Sequence, residues 1–127
     1  MNIIKINGDG SCLFRAISLL LTDTQFNHGL IREIIVLYII KNWADFSILT
    51  HDNNGDNYNS KIHYYFEMIK STTFGSLCEI IAASKLFEID FEVYRNNKLY
   101  FKCNNGFTIK KLNFSNNLSN GHFDVIL

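Results

Sequence analysis

Ten residues near the start of the chain, Gly8-Asp9-Gly10-Ser11-Cys12-Leu13-Phe14-Arg15-Ala16-Ile17, restrict the fold more than any other stretch. Two glycines flanking Asp9 permit the backbone conformations of a tight turn. Immediately afterwards, Leu13, Phe14, Ile17, Leu20 and Leu21 recur at the spacing of a helix with one buried face. A turn that becomes a helix at a cysteine has chemical consequences. With Ser11 as the cap, Cys12 lies in the first turn, where unsatisfied N–H groups and the positive end of the helix dipole favour thiolate over thiol. The turn of Asp9, Gly10 and Ser11 also offers N–H groups to a developing oxyanion. Against this stands the ordinary role of a lone cysteine, a small buried hydrophobe.

The far end of the chain supplies a partner, Gly121-His122-Phe123-Asp124-Val125-Ile126-Leu127. In a strand, residues two apart share a face, so His122 and Asp124 point one way and Phe123 the other, toward the core. A carboxylate beside an imidazole steadies it. Cys12, His122 and Asp124 then have the makings of nucleophile, base and orienter.

Composition narrows the classes. At 127 residues and 47% hydrophobic, residues 1–127 are expected to form one domain with a sizeable core. Twelve basic residues balance twelve acidic ones, so no net charge draws the chain to nucleic acid or an anionic membrane, and a monomer is expected. Three scattered cysteines without a Cys-x-x-Cys pair argue against a disulfide framework, a structural metal or a cofactor. The N-terminus lacks a signal peptide's apolar run, and the run from Ile34 to Ile40 is too short to span a bilayer. A reducing compartment such as the cytoplasm is the expected setting.

Periodicity predicts helices over about 11–21, 28–46 and 60–70, the last with Ile62, Tyr65, Phe66 and Ile69 inward. Ser76 followed three residues later by Glu79 is a capping box opening another helix through Phe87, which gives Glu79 a structural role and puts Cys78 in the core. Strands are predicted over 90–95 and 98–103 around an Asn96-Asn97 hairpin turn. Asn104-Asn105-Gly106 should then return the chain into a strand over 107–112, and a polar loop leads to the last strand over 122–127. The polar run around Asp52-Asn53-Asn54-Gly55-Asp56 lacks an EF-hand's glycine and glutamate positions and is a solvated loop. The expected class is α+β, helices packed on a largely antiparallel sheet, with Phe14, Ile34, Ile81, Val93 and Val125 in the core.

The motifs together resemble the ovarian tumour (OTU) family of cysteine deubiquitinases. That family carries Asp-Gly-x-Cys-apolar-aromatic-Arg early, here Asp9 to Arg15, and His-aromatic-Asp/Asn late, here His122 to Asp124. Its middle signature, an aromatic-Gly pair, a Glu-Ile-x-Ala helix and a strand, is matched by Phe74-Gly75, Glu79-Ile80-Ile81-Ala82 and Phe91 to Tyr94. Phe74 stands where tryptophan is usual and Ser11 where asparagine is frequent.

The resemblance implies a papain-like architecture and thiol-dependent cleavage of ubiquitin or polyubiquitin at the C-terminal glycine. It implies Cys12, His122 and Asp124 as catalytic residues and the Asp9–Ser11 turn as oxyanion hole. It also implies a slot for the substrate tail between that turn and Asn120–Gly121. Asp9 reads first as a turn-builder and nearly as much as a shaper of the oxyanion hole, and Arg15 as an ion-pair partner on the surface or bracing the fold. The polar insertion near residue 52 belongs to the arm that meets ubiquitin in this family. The same chemistry on a ubiquitin-like modifier, or a catalytically idle ubiquitin-binding module, are the rival functions.

Overall fold

A computed structural model describes residues 2–116 and 121–127. In chain order the elements are β1 (Ile3–Ile4), α1 (Cys12–Thr22), α2 (His28–Lys41), α3 (Trp43–Phe46), α4 (Lys61–Met68) and α5 (Leu77–Phe87). Four strands follow: β2 (Ile89–Arg95), β3 (Lys98–Lys102), β4 (Thr108–Asn116) and β5 (Gly121–Ile126). They form one five-stranded sheet of order β1-β5-β4-β2-β3. Every pairing is antiparallel except β2 with β4. This is the α+β arrangement of helices on a largely antiparallel sheet. Among the described residues, no helix is long and apolar enough to cross a membrane.

Local chemistry sets several boundaries as the sequence predicts. Asn96 and Asn97 both take positive φ, 53° and 63°, and close the β2–β3 hairpin. Ser76 and Glu79 form the capping box of α5, and Glu79, 1% exposed, also accepts the Tyr64 hydroxyl at 2.7 Å. Cys78 is buried beside it.

Long-range forces overrule the sequence elsewhere. The long second helix breaks at Asn42, whose amide folds back to donate to the Tyr38 carbonyl. On α4 the expected inward face is reversed for its two largest aliphatic and aromatic members. Ile62 and Phe66 are 62% and 64% exposed, while Tyr64 and Met68 are buried. The Tyr64–Glu79 hydrogen bond decides this, because a buried carboxylate without partners is costly. Ile34 and Ile81 are only half-buried, and Ile31, Ile35, Val36 and Ile39 form the inward stripe of α2. The 104–106 turn does reverse the chain, yet β4 lies beside β2 rather than β3. Buried Asp90 accepts the backbone N–H groups of Asn105, Gly106 and Phe107, which carries the connection across the end of β2.

The core cluster joins Leu13, Phe14 and Ile17 of α1 to the α2 stripe, to Ile80 and Ala83 of α5, and to Phe91, Val93, Leu112 and Val125 of the sheet. Because α1 packs on β5, the first residue of that helix and the first residues of that strand come together.

Candidate active site

The turn before α1 is built by Asp9. Its carboxylate accepts the Ser11 N–H at 3.0 Å, and its carbonyl accepts the Cys12 N–H at 3.2 Å. Arg15, one helical turn on, makes a two-pronged contact with the same carboxylate at 2.9–3.2 Å. That guanidinium holds the Asp9 carboxyl below the usual aspartate range. Asp9 thus organises the turn that leads into the helix rather than capping it. The Ser11 side chain makes no cap bond and instead donates to the Ser71 carbonyl at 2.9 Å. Gly10 is pressed against the neighbouring 71–73 segment so closely that a Cβ would overlap the Thr72 carbonyl.

Cys12 is 1% exposed, and its Sγ lies 3.9 Å from the carbonyl oxygen of Gly121. Burial pushes its thiol above the ordinary range, and the N–H groups of Phe123 and Leu13 pull it only part of the way back. Burial thus opposes the preference for thiolate that the helix terminus supplies. Cys78 and Cys103 are likewise pushed up by burial, Cys78 further by the adjacent Glu79 carboxylate. The distinction of Cys12 lies in its surroundings.

Those surroundings are the start of β5. His122 Nε2 and Asp124 Oδ1 are 2.8 Å apart, with Phe123 turned into the core against Phe114. Asp124 is 1% exposed, and its Oδ1 also accepts the Ile6 N–H at 2.8 Å. Lys5 approaches its Oδ2 at 3.8 Å from the solvent side. An acceptor-only carboxylate on Nε2 assigns the proton to that nitrogen, which leaves Nδ1 as the basic site of the neutral ring. Strand parity brings the imidazole and carboxylate together. The packing of α1 on β5 sets the thiol against the start of that strand, at the Gly121 carbonyl.

The remaining expected site residues divide. Gly121 borders the thiol, and a side chain there would collide with the Phe114 ring. Asn120 lies outside the described residues. The donors expected for an oxyanion are partly committed, since Asp9 holds the Ser11 and Cys12 N–H groups. Among the described residues, the Gly10 N–H donates to no acceptor. A cleft of about 1010 Å³ opens between the α4 side and the sheet, from Tyr58 and Glu67 past Phe74 and Tyr100 to Gly121. Cys12 does not line it; the cleft meets the site at Gly121, whose carbonyl borders the Cys12 sulfur.

One residue at this site is missing from the sequence reasoning. Arg32 of α2 is 2% exposed and donates to the Gly10 carbonyl and Ser11 Oγ at 3.1 and 3.2 Å. A charge inside a helix reads as solvated. Its phase, three, four and seven residues before the buried Ile35, Val36 and Ile39, was the available signal.

Comparison with known proteins bears on the family and the fold. A family model described as "OTU-like cysteine protease" matches residues 7–118. The ovarian tumor domain-containing deubiquitinating enzyme 7 of Arabidopsis thaliana is 40% identical over 53 residues, covering 42% of this chain and 14% of that protein. The chain thus aligns with only a small part of that relative's length. Among solved structures, the OTUD1 OTU domain superposes with a TM-score of 0.78 at 20% identity, over 98% of this chain and 84% of that one. An OTU deubiquitinase of Wolbachia pipientis wMel, bound to ubiquitin, gives a TM-score of 0.69 at 17% identity, over 99% and 94%. Motif order, sheet topology and a family match spanning most of the sequence converge, and the chain belongs to the OTU-like cysteine protease family.

Proposed function

We propose that residues 1–127 are a minimal catalytic domain that removes ubiquitin from lysine side chains or from ubiquitin chains. The observation that carries this is the docking of the helix that begins at Cys12 on the strand that carries the His122–Asp124 pair, with the Cys12 sulfur 3.9 Å from the carbonyl oxygen of Gly121 in the cleft wall. With burial pushing the Cys12 thiol upward, the step proposed is general-base catalysis by the neutral imidazole. His122 Nδ1 takes the Cys12 proton as the sulfur attacks the carbonyl carbon of ubiquitin's terminal glycine. The oxyanion is met by N–H groups of the turn; that of Gly10 is uncommitted and that of Cys12 is held only by the 3.2 Å contact to Asp9. Collapse breaks the C–N bond, and the imidazolium protonates the departing lysine amine. Water, deprotonated by His122, then hydrolyses the thioester and restores the thiol. Asp124 fixes the ring's tautomer and balances its transient charge.

The cleft supports passage of an extended tail, with Gly121 beside its final residues. Exposed Ile62 and Phe66, one turn apart on α4, offer an apolar surface to the globular part of a modifier. That ubiquitin is the modifier is supported by the Wolbachia relative's complex with it.

A ubiquitin probe with an electrophile in place of the C-terminal carboxylate tests the proposal. It should label the wild type at Cys12 and fail on Cys12→Ala. Label that persists at Cys78 or Cys103 would overturn the assignment. A probe built on a ubiquitin-like modifier, reacting where the ubiquitin probe does not, would move the substrate to that class. Binding without any labelling would leave only a recognition module.

A further inference from the structure

We propose that Arg32 is a positioning residue for the nucleophile: from α2, its guanidinium clamps Gly10 and Ser11 to the 68–73 segment and so fixes where Cys12 stands. This rests on the assignment of Cys12 as nucleophile. The fork reaches in two directions. Nη2 donates to the Gly10 carbonyl at 3.1 Å, to Ser11 Oγ at 3.2 Å and to the Ser71 carbonyl at 3.3 Å. Nη1 donates to the carbonyls of Met68 and Thr73, both at 2.8 Å. The guanidinium also lies over the ring of Phe14, 4.2 Å from its centroid. One side chain thus ties together the turn, α1 and the strip of chain between α4 and α5.

The arrangement is costly, which argues that it serves more than packing. Arg32 is 2% exposed, yet among the described residues no carboxylate pairs with it, and its Nε is buried without a partner. A hydrophobic residue of similar volume would fill the space without that desolvation cost. What such a residue could not do is hold two consecutive groups of the turn, the Gly10 carbonyl and Ser11 Oγ, that directly precede the nucleophile. Lysine could not do it equally, because an ammonium lacks the planar fork that spans both sets of acceptors. The clamp acts where Gly10 already touches the Thr72 carbonyl and Ser11 donates to Ser71. The turn is seated against that strip, and Arg32 closes the seat from behind. A fixed positive charge behind the turn also attracts the thiolate once it forms.

The test compares wild type, Arg32→Met and Arg32→Lys as purified chains of residues 1–127. Turnover of ubiquitin carrying a fluorogenic amine at its C-terminus is resolved into kcat and KM. In parallel, iodoacetamide modification at Cys12 is followed against pH by mass spectrometry, and Tm is recorded. Arg32→Met is expected to lower kcat about ten- to a hundredfold, with KM within about twofold and the alkylation midpoint displaced to higher pH. Arg32→Lys should fall between it and wild type. An unchanged kcat and alkylation profile, with only Tm reduced, would overturn the proposal. If Arg32→Met does not fold, Arg32→Lys decides at a temperature where its circular dichroism matches wild type: reduced kcat supports the clamp, and unchanged kcat overturns it. A wild type that never turns over ubiquitin would sink the function proposed above. The Cys12 alkylation profile would still decide on Arg32, upward displacement supporting it and coincidence with wild type overturning it.

Discussion

The two halves of the candidate site are held in place by opposite means. The nucleophile end, Asp9 to Cys12, belongs to no strand and is fixed by side chains: Arg15 on the Asp9 carboxylate, Arg32 on Gly10 and Ser11, and Ser11 on Ser71. The base end, His122 to Asp124, is fixed by backbone. Ser115 faces His122 and Asn113 faces Asp124 in the β4–β5 ladder, with one buried carboxylate as its only elaborate side-chain arrangement. A ladder gives a histidine its direction through strand parity alone. A turn has no such register, so its geometry must be imposed by contacts from elsewhere in the chain. Substitutions should therefore act differently at the two ends.

The largest effect is expected at the base. His122→Ala should reduce ubiquitin turnover about 100- to 10,000-fold with little change in Tm, because β5 keeps its ladder. Loss of the fold instead would show that the imidazole itself holds the strand. Asp124→Asn comes next, with a loss of about ten- to a hundredfold, short of the roughly 10⁴-fold seen for this change in serine triads. Ubiquitin binding by calorimetry should survive it. Wild-type activity across pH would place the orienting group elsewhere.

At the nucleophile end the effects should fall on stability and geometry together. Gly10→Ala pushes a methyl into the Thr72 carbonyl, for an expected cost of about 1–3 kcal/mol, read from denaturant unfolding, along with slower probe labelling. An unchanged midpoint would mean that the turn is not seated as tightly as described. The smallest effect concerns Asp9. Arg15 lowers its folded-state pKa below the unfolded value, so the pair's stabilisation is complete above the ordinary aspartate range, near about pH 4. It is lost as pH falls through the folded value. Half-exposed as that carboxylate is, solvent screens the contribution. Asp9→Asn should flatten the acid limb of the stability curve slightly, and an unaltered limb would show the pair to be idle.

What the sequence discloses follows the range of the forces involved. The Asn96-Asn97 turn and the Ser76–Glu79 box are decided within four residues, and both are legible in the chain. So is the juxtaposition of His122 with Asp124, which needs only period two. The inward face of α4 is not legible, because Tyr64 and Met68 compete with Ile62 and Phe66, and the winner depends on Glu79, fifteen residues from Tyr64. The position of β4 is hidden for the same reason. Three backbone N–H groups bound to Asp90 select the parallel pairing with β2, and no alternation pattern encodes that. Arg32 stands between these cases. Its helical phase points inward, while its charge points outward, and only the carbonyls gathered around it resolve the conflict.

The edge of the sheet has a kinetic consequence. Strand β1 pairs with β5 through Ile3 opposite Ile126 and Ile4 opposite Val125, and the Ile6 N–H reaches Asp124 across 118 residues of sequence. Closing so large a loop is entropically late, and topologies dominated by distant pairings fold slowly. During synthesis Cys12 leaves the ribosome 110 residues ahead of His122. Under the proposed function, cleavage is thereby deferred until β5 has docked, and the order in which the elements emerge acts as the safety catch.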